Sequence, residues 1–140
     1  MMYGNDPAQY RRFFQETWRK HRERLPLEPL EDMVAQIIAE HPEYHALLED
    51  PDKIEQDYTP EAGRSNPFLH MGLHIAIQEQ LAADRPAGIR GSYQQLAQRH
   101  ADPHAAEHRM AECRAESIWE AQRAGAAPDE MMYLERLRRL

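Results

Sequence analysis

Residues 66–77, which read NPFLHMGLHIAI, combine a helix start with two histidines one helical turn apart. Asn66 can cap the first turn with its side-chain oxygen, and Pro67 suits the first helical position. Apolar residues then recur at steps of three and four, which is the period of one helix face. His70 and His74 lie on that face, so the stretch predicts an amphipathic helix that carries two imidazoles towards the protein interior.

The one-turn histidine spacing recurs along the chain. The motif DPHAAEH repeats the cap and the proline before His104 and His108. A further pair, His41 and His45, occurs in EHPEYH, where Pro42 predicts a break or a bend. The 8 histidines of the 140-residue chain would give about 0.4 pairs at spacing four if placed at random. The chain has four such pairs, at 41/45, 70/74, 100/104 and 104/108.

This excess predicts a metal site built from several helices. Two residues four apart on a helix present their side chains in parallel, so two facing helices supply four ligands. Glu112 adds a carboxylate at the turn after His108. The predicted ligand set is His70, His74, His104, His108 and Glu112, completed by His45 or His41. Zinc, iron, manganese and nickel all suit imidazole and carboxylate ligands, and spacing alone does not choose among them.

The sequence bears on several kinds of catalysis at such a metal site. Residues 104–108 spell HxxEH, in which two histidines hold zinc and the glutamate, here Glu107, acts on the attacking water. Only 32 residues follow the motif, too few for a third ligand and a substrate cleft, so the match is weak evidence of a protease. The ExxH repeat of ferritin-like di-iron bundles is absent from the sequence. A metal-dependent hydrolase or oxidoreductase with a small-molecule substrate stays open, provided that the ion keeps an open position.

A non-enzymatic interpretation also stays open. In it the chain is a helical adaptor or a homodimer, and its histidines are core or interface residues. A lone histidine on an apolar face is more often a hydrogen-bonded core residue than a ligand. Metal is favoured for the pairs 70/74 and 104/108, because each directly follows a cap and a proline. The positive end of a helix there favours the neutral, ligating imidazole.

The overall pattern predicts an all-α fold, a single domain over residues 1–140 that resembles a four-helix bundle with one or two additional short helices. The predicted main helices run from Pro7 to about Leu25, from Pro29 to Glu40, from Pro67 to about Asp84 and from Pro103 to Ala124. Short helices are predicted after Pro42, from Ser92 to His100 and near the C-terminus, and residues 50–66 are predicted to be a long loop. Within the last main helix, Glu112 and Trp119 are placed on the inward side. Trp18, like Trp119, is predicted to anchor the core, and Cys113 to be a small core residue.

Composition excludes several classes of partner. A formal net charge of −7 and a pI near 5.6 argue against a nucleic-acid-binding face. No apolar run approaches the roughly 20 residues of a membrane helix, so no membrane association is expected. The N-terminal residues lack the apolar segment of a signal peptide. One cysteine cannot form an intramolecular disulfide, and a cytoplasmic location is expected.

Longer stretches of the chain carry a family resemblance. Five stretches together resemble the uncharacterised bacterial family known as domain of unknown function 1841. These stretches are EHPEYH, DYTPEAGRSNPFLHMGLHIAI, DRPAGIR, DPHAAEHRMAEC and IWEAQR. The resemblance covers nearly the whole chain and implies no particular activity. The histidine-bearing helices are also similar, as a fold-level analogy, to DinB-like and hemerythrin-like bundles, which hold nickel, zinc or iron. The histidines of this chain fall at other positions, so neither ligand set transfers.

Overall fold

A computed structural model describes residues 7–50, residue 52 and residues 66–140. These residues form seven α-helices and a 3-10 turn without any strand, which confirms the predicted all-α class. The helices are α1 (Pro7–Arg22), α2 (Pro29–Ala39), α3 (His45–Glu49), α4 (Pro67–Ala83), α5 (Ile89–His100), α6 (Pro103–Ala124) and α7 (Glu130–Arg139), and the 3-10 turn is Pro42–Tyr44. The chain divides into two compact units, unit 1 (Met1–Gly72) and unit 2 (Leu73–Leu140). The prediction of one domain over residues 1–140 stays a prediction.

The four predicted main helices are present, but some of their boundaries differ. The shorter helices α3, α5 and α7 lie at the three places where short helices were predicted, after Pro42, before Asp102 and near the C-terminus. Helix α1 ends at Arg22 rather than near Leu25, because Arg24 adopts a left-handed conformation with φ of 57°. The Leu25 N–H then bonds to the Lys20 carbonyl, which closes the helix before Pro26 acts. The predicted loop over residues 50–66 lies mostly outside the described residues.

Unit 1 is organised around the aromatic stripe of α1. Helix α1 packs against α2 and α3. The ring centroid of Phe14 lies 5.8 Å from that of Phe68 in the first turn of α4. Trp18 is 7% exposed, which confirms the predicted core position of Trp18. The buried apolar residues of this unit are Phe14, Trp18, Val34, Ala35, Ile37, Ile38, Leu48, Phe68 and Met71.

The start of α2 is held by the charged side chain of Glu31. Glu31 accepts a 2.9 Å hydrogen bond from the Glu28 N–H and another of 2.9 Å from the Lys20 ammonium group of α1. The first bond satisfies a backbone donor that the helix itself leaves open. Both bonds, that from Glu28 first, hold the pKa of Glu31 below its ordinary value of 4.5. Glu31 therefore fixes the helix start and ties α2 to α1.

Replacing Glu31 by glutamine keeps an acceptor for the Glu28 N–H but removes the charge that faces Lys20, so the free energy of unfolding at neutral pH is expected to fall by about 0.5 kcal/mol. A lowered folded-state pKa contributes stability above the ordinary pKa, and this contribution disappears as the pH falls through the lowered value. The difference between wild type and E31Q should therefore shrink as the pH falls below the ordinary pKa of 4.5. Urea unfolding of both proteins across pH 3–7 measures it, and a difference that persists unchanged at pH 3 would contradict this role.

Unit 2 has a core formed by the second part of α4 together with α5, α6 and α7. Helix α5 packs against α6 and α7, and α6 packs against α7. The core residues are Ile77, Ile89, Leu96, Ala106, Met110, Ala111, Cys113, Tyr133, Leu134 and Leu137. Cys113 is thus a core residue, as predicted. Helix α6 contributes mainly small or flexible side chains to this core, which lets its neighbours approach closely.

The connection from α4 to α5 is fixed by polar contacts to the backbone. The guanidinium group of Arg90 donates to the carbonyl oxygens of Leu81 and Ala82 at 2.7 and 2.6 Å. The Asp84 carboxylate accepts hydrogen bonds from the N–H groups of Gly88 and Arg90. The bonds from Arg90 satisfy carbonyl groups that the end of a helix leaves open. Together with the Asp84 bonds, they hold the last turns of α4 in place against the start of α5.

Among the described helices, none combines the length and apolar character that crossing a membrane requires.

Candidate metal centre

The two helices that carry the histidines of unit 2, α4 and α6, begin at the caps that the sequence predicts. The Asn66 side chain accepts hydrogen bonds from the N–H groups of Phe68 and Leu69, at 3.0 and 3.2 Å, and so caps α4. The Asp102 side chain accepts a 3.0 Å bond from the His104 N–H and caps α6. These caps fix where each helix starts. They therefore set which way His74 and the histidines of α6 point.

Three imidazoles come together in unit 2. The ring centroids of His104 and His108, one turn apart on α6, are 4.4 Å from each other. The His74 ring on α4 lies 4.7 Å from His108 and 5.8 Å from His104. A ring nitrogen of His74 and one of His108 lie within 4.8 Å of each other. Two nitrogens on one tetrahedral ion are about 3.3 Å apart, so the His74 and His108 nitrogens lie within about 1.5 Å of the separation that a shared ion requires.

A carboxylate lies against this histidine group. Glu107 is 6% exposed, and its Oε1 atom is 3.4 Å from His74 Nδ1 and 2.8 Å from the amide nitrogen of Gln78, which donates to it. Burial raises the pKa of Glu107. The donors that His74 and Gln78 present to the carboxylate outweigh burial and bring this pKa below its ordinary value. Glu107 is therefore a carboxylate at neutral pH.

Glu107 is predicted only as part of HxxEH, and Gln78 is not predicted as a site residue. The sequence nevertheless carries a signal for both residues. Gln78 follows His74 by one helical turn, and Glu107 follows His104 by three residues, so each shares a helix face with a predicted ligand.

Glu112 lies elsewhere than predicted. Its side chain is 67% exposed and forms a 2.9 Å ion pair with Arg109. The buried face of α6 instead comprises Ala106, Glu107, Met110, Ala111, Cys113, Ser117 and Ala121. The predicted inward face was therefore rotated from the real one, and it is Glu107 rather than Glu112 that the structure places beside the histidines. Trp119, also predicted to face inward, is 55% exposed.

Unit 1 contains a separate histidine pair, His41 and His70, whose ring centroids are 5.2 Å apart. His41 is 1% exposed, and its Nδ1 donates to the Ile37 carbonyl oxygen at 2.7 Å. This bond requires a proton on Nδ1, as in histidines that bind a metal through Nε2. The Tyr44 ring is stacked on His41 with centroids 5.7 Å apart. The predicted role of His41 as a ligand stays a prediction.

His41 and His45 do not form a one-turn pair on a single helix. Helix α2 ends at Ala39, and the 3-10 turn that begins with Pro42 separates His41 from α3, as the proline predicts. His45 Nε2 donates to the Ile38 carbonyl oxygen at 2.8 Å, and the His45 ring lies 4.4 Å from that of Trp18. His45 is therefore engaged with the core of unit 1.

The class of protein that this fold and these residues define is an all-α chain in which three histidines, one of them fully buried, lie together in unit 2. The chain belongs to the family described as Domain of unknown function (DUF1841), whose sequence profile matches residues 6–139. The resemblance predicted from the sequence is thereby confirmed. No curated protein and no solved structure matches the chain. The analogy to DinB-like and hemerythrin-like bundles stays a prediction.

Proposed function

We propose that the protein binds a transition-metal ion through His74, His104 and His108 of unit 2, with Glu107 beside them. The observation that carries this proposal is the convergence of three imidazoles and a buried carboxylate within one compact unit. Buried polar groups such as His74 and Glu107 are costly unless they are paired or coordinate a metal. A metal ion accounts for all four side chains at once.

The donor set narrows the choice of ion. Three imidazoles suit zinc, iron, nickel and copper, whereas calcium and magnesium prefer an all-oxygen environment. Three nitrogens fill three positions of a tetrahedral ion, and the fourth position takes water, substrate or a further protein ligand. An ion with water in that position acts as a Lewis acid, which is the basis for proposing metal-dependent hydrolysis or oxygen chemistry. The contributions predicted for His41, His70 and His45 stay predictions.

Elemental analysis of untagged protein purified without chelator tests the proposal. We expect about one transition-metal ion per chain, lost after dialysis against a chelator. Metal that binds only the folded state stabilises it, so removal of the ion should lower the midpoint of thermal unfolding, and re-addition should restore it. A metal content near zero, together with a midpoint that chelator leaves unchanged, would favour the non-enzymatic helical adaptor instead.

The proposed location is the cytoplasm, because Cys113 is the only cysteine of the sequence and is buried in the core of unit 2. The proposed partners are the metal ion and a small-molecule substrate, and a homodimer is compatible with either interpretation of the histidines.

A further inference from the structure

One oxygen atom of Glu107 receives two donors from the same helix. Its Oε1 lies 2.8 Å from the Gln78 amide nitrogen and 3.4 Å from His74 Nδ1. His74 and Gln78 are one turn apart on α4, so both approach the carboxylate from one side. The shared oxygen makes Glu107 a polar link between α6 and this face of α4.

We propose, building on the metal site above, that Glu107 is a positioning residue which holds the proton of His74 on Nδ1, so that His74 binds the ion through Nε2. A metal-bound histidine usually donates its other ring N–H to a carboxylate or a carbonyl, and this partner fixes both the tautomer and the ring orientation. The 3.4 Å separation is long for a hydrogen bond. We expect this separation to shorten when Nε2 of His74 binds the ion.

The surroundings favour this role over direct coordination by the same oxygen. His74 is fully buried, so a proton on Nδ1 needs an acceptor inside the protein. The Glu107 carboxylate lies 3.4 Å from Nδ1 and can accept that proton. Gln78 donates to the same oxygen and helps to orient it.

Gln78 has a distinct part in the arrangement. Its amide donates to the carboxylate and cannot replace the charge of Glu107, so it orients the carboxylate without taking its place. Replacing Gln78 by leucine preserves much of the side-chain volume and removes the donor. The expected result is a loss of zinc affinity smaller than that caused by E107A.

Nitrogen-15 NMR of the zinc-loaded full chain, with labelled histidines, tests the inference directly. The expected spectrum shows the His74 proton on Nδ1 and the zinc-induced shift on Nε2. Zinc bound to Nδ1 of His74 would overturn this inference alone. Zinc that shifts none of the rings of His74, His104 and His108 would overturn the metal site as well, so the two failures are distinguishable.

Zinc titrations of variants provide a second measurement. E107A is expected to bind zinc 10- to 100-fold more weakly, the usual effect of removing such a partner. E107Q keeps an oxygen that can accept the Nδ1 proton, so it should recover most of the lost affinity. E112A serves as the matched control on the exposed side of α6 and should bind like the wild type. Equal losses in E107Q and E107A would mean that accepting the Nδ1 proton does not account for the effect of Glu107, which contradicts the inference.

Discussion

Replacement of His108 by alanine is expected to lower the affinity for zinc by more than about 100-fold, because the loss of a direct ligand exceeds that of an outer partner. His108 is half-buried and lies within 4.8 Å of both neighbouring imidazole centroids, so its removal leaves the ion with two of the three proposed nitrogens. The measurement is competition between the protein and a chromophoric chelator for zinc.

His100 provides the matched control for this experiment. It is an exposed histidine at the end of α5, in the same unit, so H100A changes the histidine content without touching the proposed site. We expect H100A to bind zinc like the wild type. Equal affinities of H108A and the wild type, with both folded by circular dichroism, would remove His108 from the ligand set.

Replacement of Tyr133 by alanine is expected to destabilise unit 2 by about 3–5 kcal/mol, as for other large-to-small changes of buried aromatic residues. Tyr133 is fully buried in the core of unit 2, and the Arg114 guanidinium lies 5.0 Å from its ring centroid. Its hydroxyl donates to the Gln80 side-chain oxygen at 2.9 Å. Hydrogen exchange of the amides in α5, α6 and α7 measures the effect where it occurs.

Replacement of Tyr133 by phenylalanine separates the ring from the hydroxyl. Y133F keeps the packed ring and loses only the bond to Gln80, so we expect a destabilisation of about 1 kcal/mol. If Y133F and Y133A accelerate amide exchange equally, the hydroxyl rather than the ring carries the stability, and the account of this core is wrong.

The sequence predicted the helix starts well because local chemistry determines them. The caps at Asn66 and Asp102 and the prolines that follow them act over three or four residues, and the structure shows the expected hydrogen bonds. The break near Pro42 was predictable for the same reason. The end of α1 was not, because Arg24 adopts a left-handed conformation that residues other than glycine rarely take.

The inward face of α6 was harder to predict, because Met110 is the one large apolar residue among the buried residues of this helix, and the others are small or, as Glu107, charged. A stripe of small residues is a weak hydrophobic signal, and Trp119 therefore directed the prediction to the wrong side. Trp119 is instead half-exposed under the guanidinium group of Arg123, with 4.7 Å between Arg123 Cζ and the ring centroid. Glu112 was misplaced with it, and the carboxylate beside the histidines is Glu107.

Spacing correctly indicated that His104 and His108 lie together, but it could not show which residues of α4 meet them. Periodicity places residues on a helix face, whereas the tertiary packing of α4 against α6 decides which polar groups touch. The contact of Glu107 with both His74 and Gln78 joins residues about thirty positions apart in the chain. Such a contact is not encoded in any local pattern.

Anomalous diffraction from a crystal of the untagged protein, grown without chelator and measured on both sides of the zinc, iron and nickel absorption edges, tests the metal site most directly. The account predicts an anomalous peak about 2.0–2.2 Å from ring nitrogens of His74, His104 and His108, the usual length of a metal bond to imidazole. A map that shows these three rings ordered, with no anomalous peak between them, would contradict it.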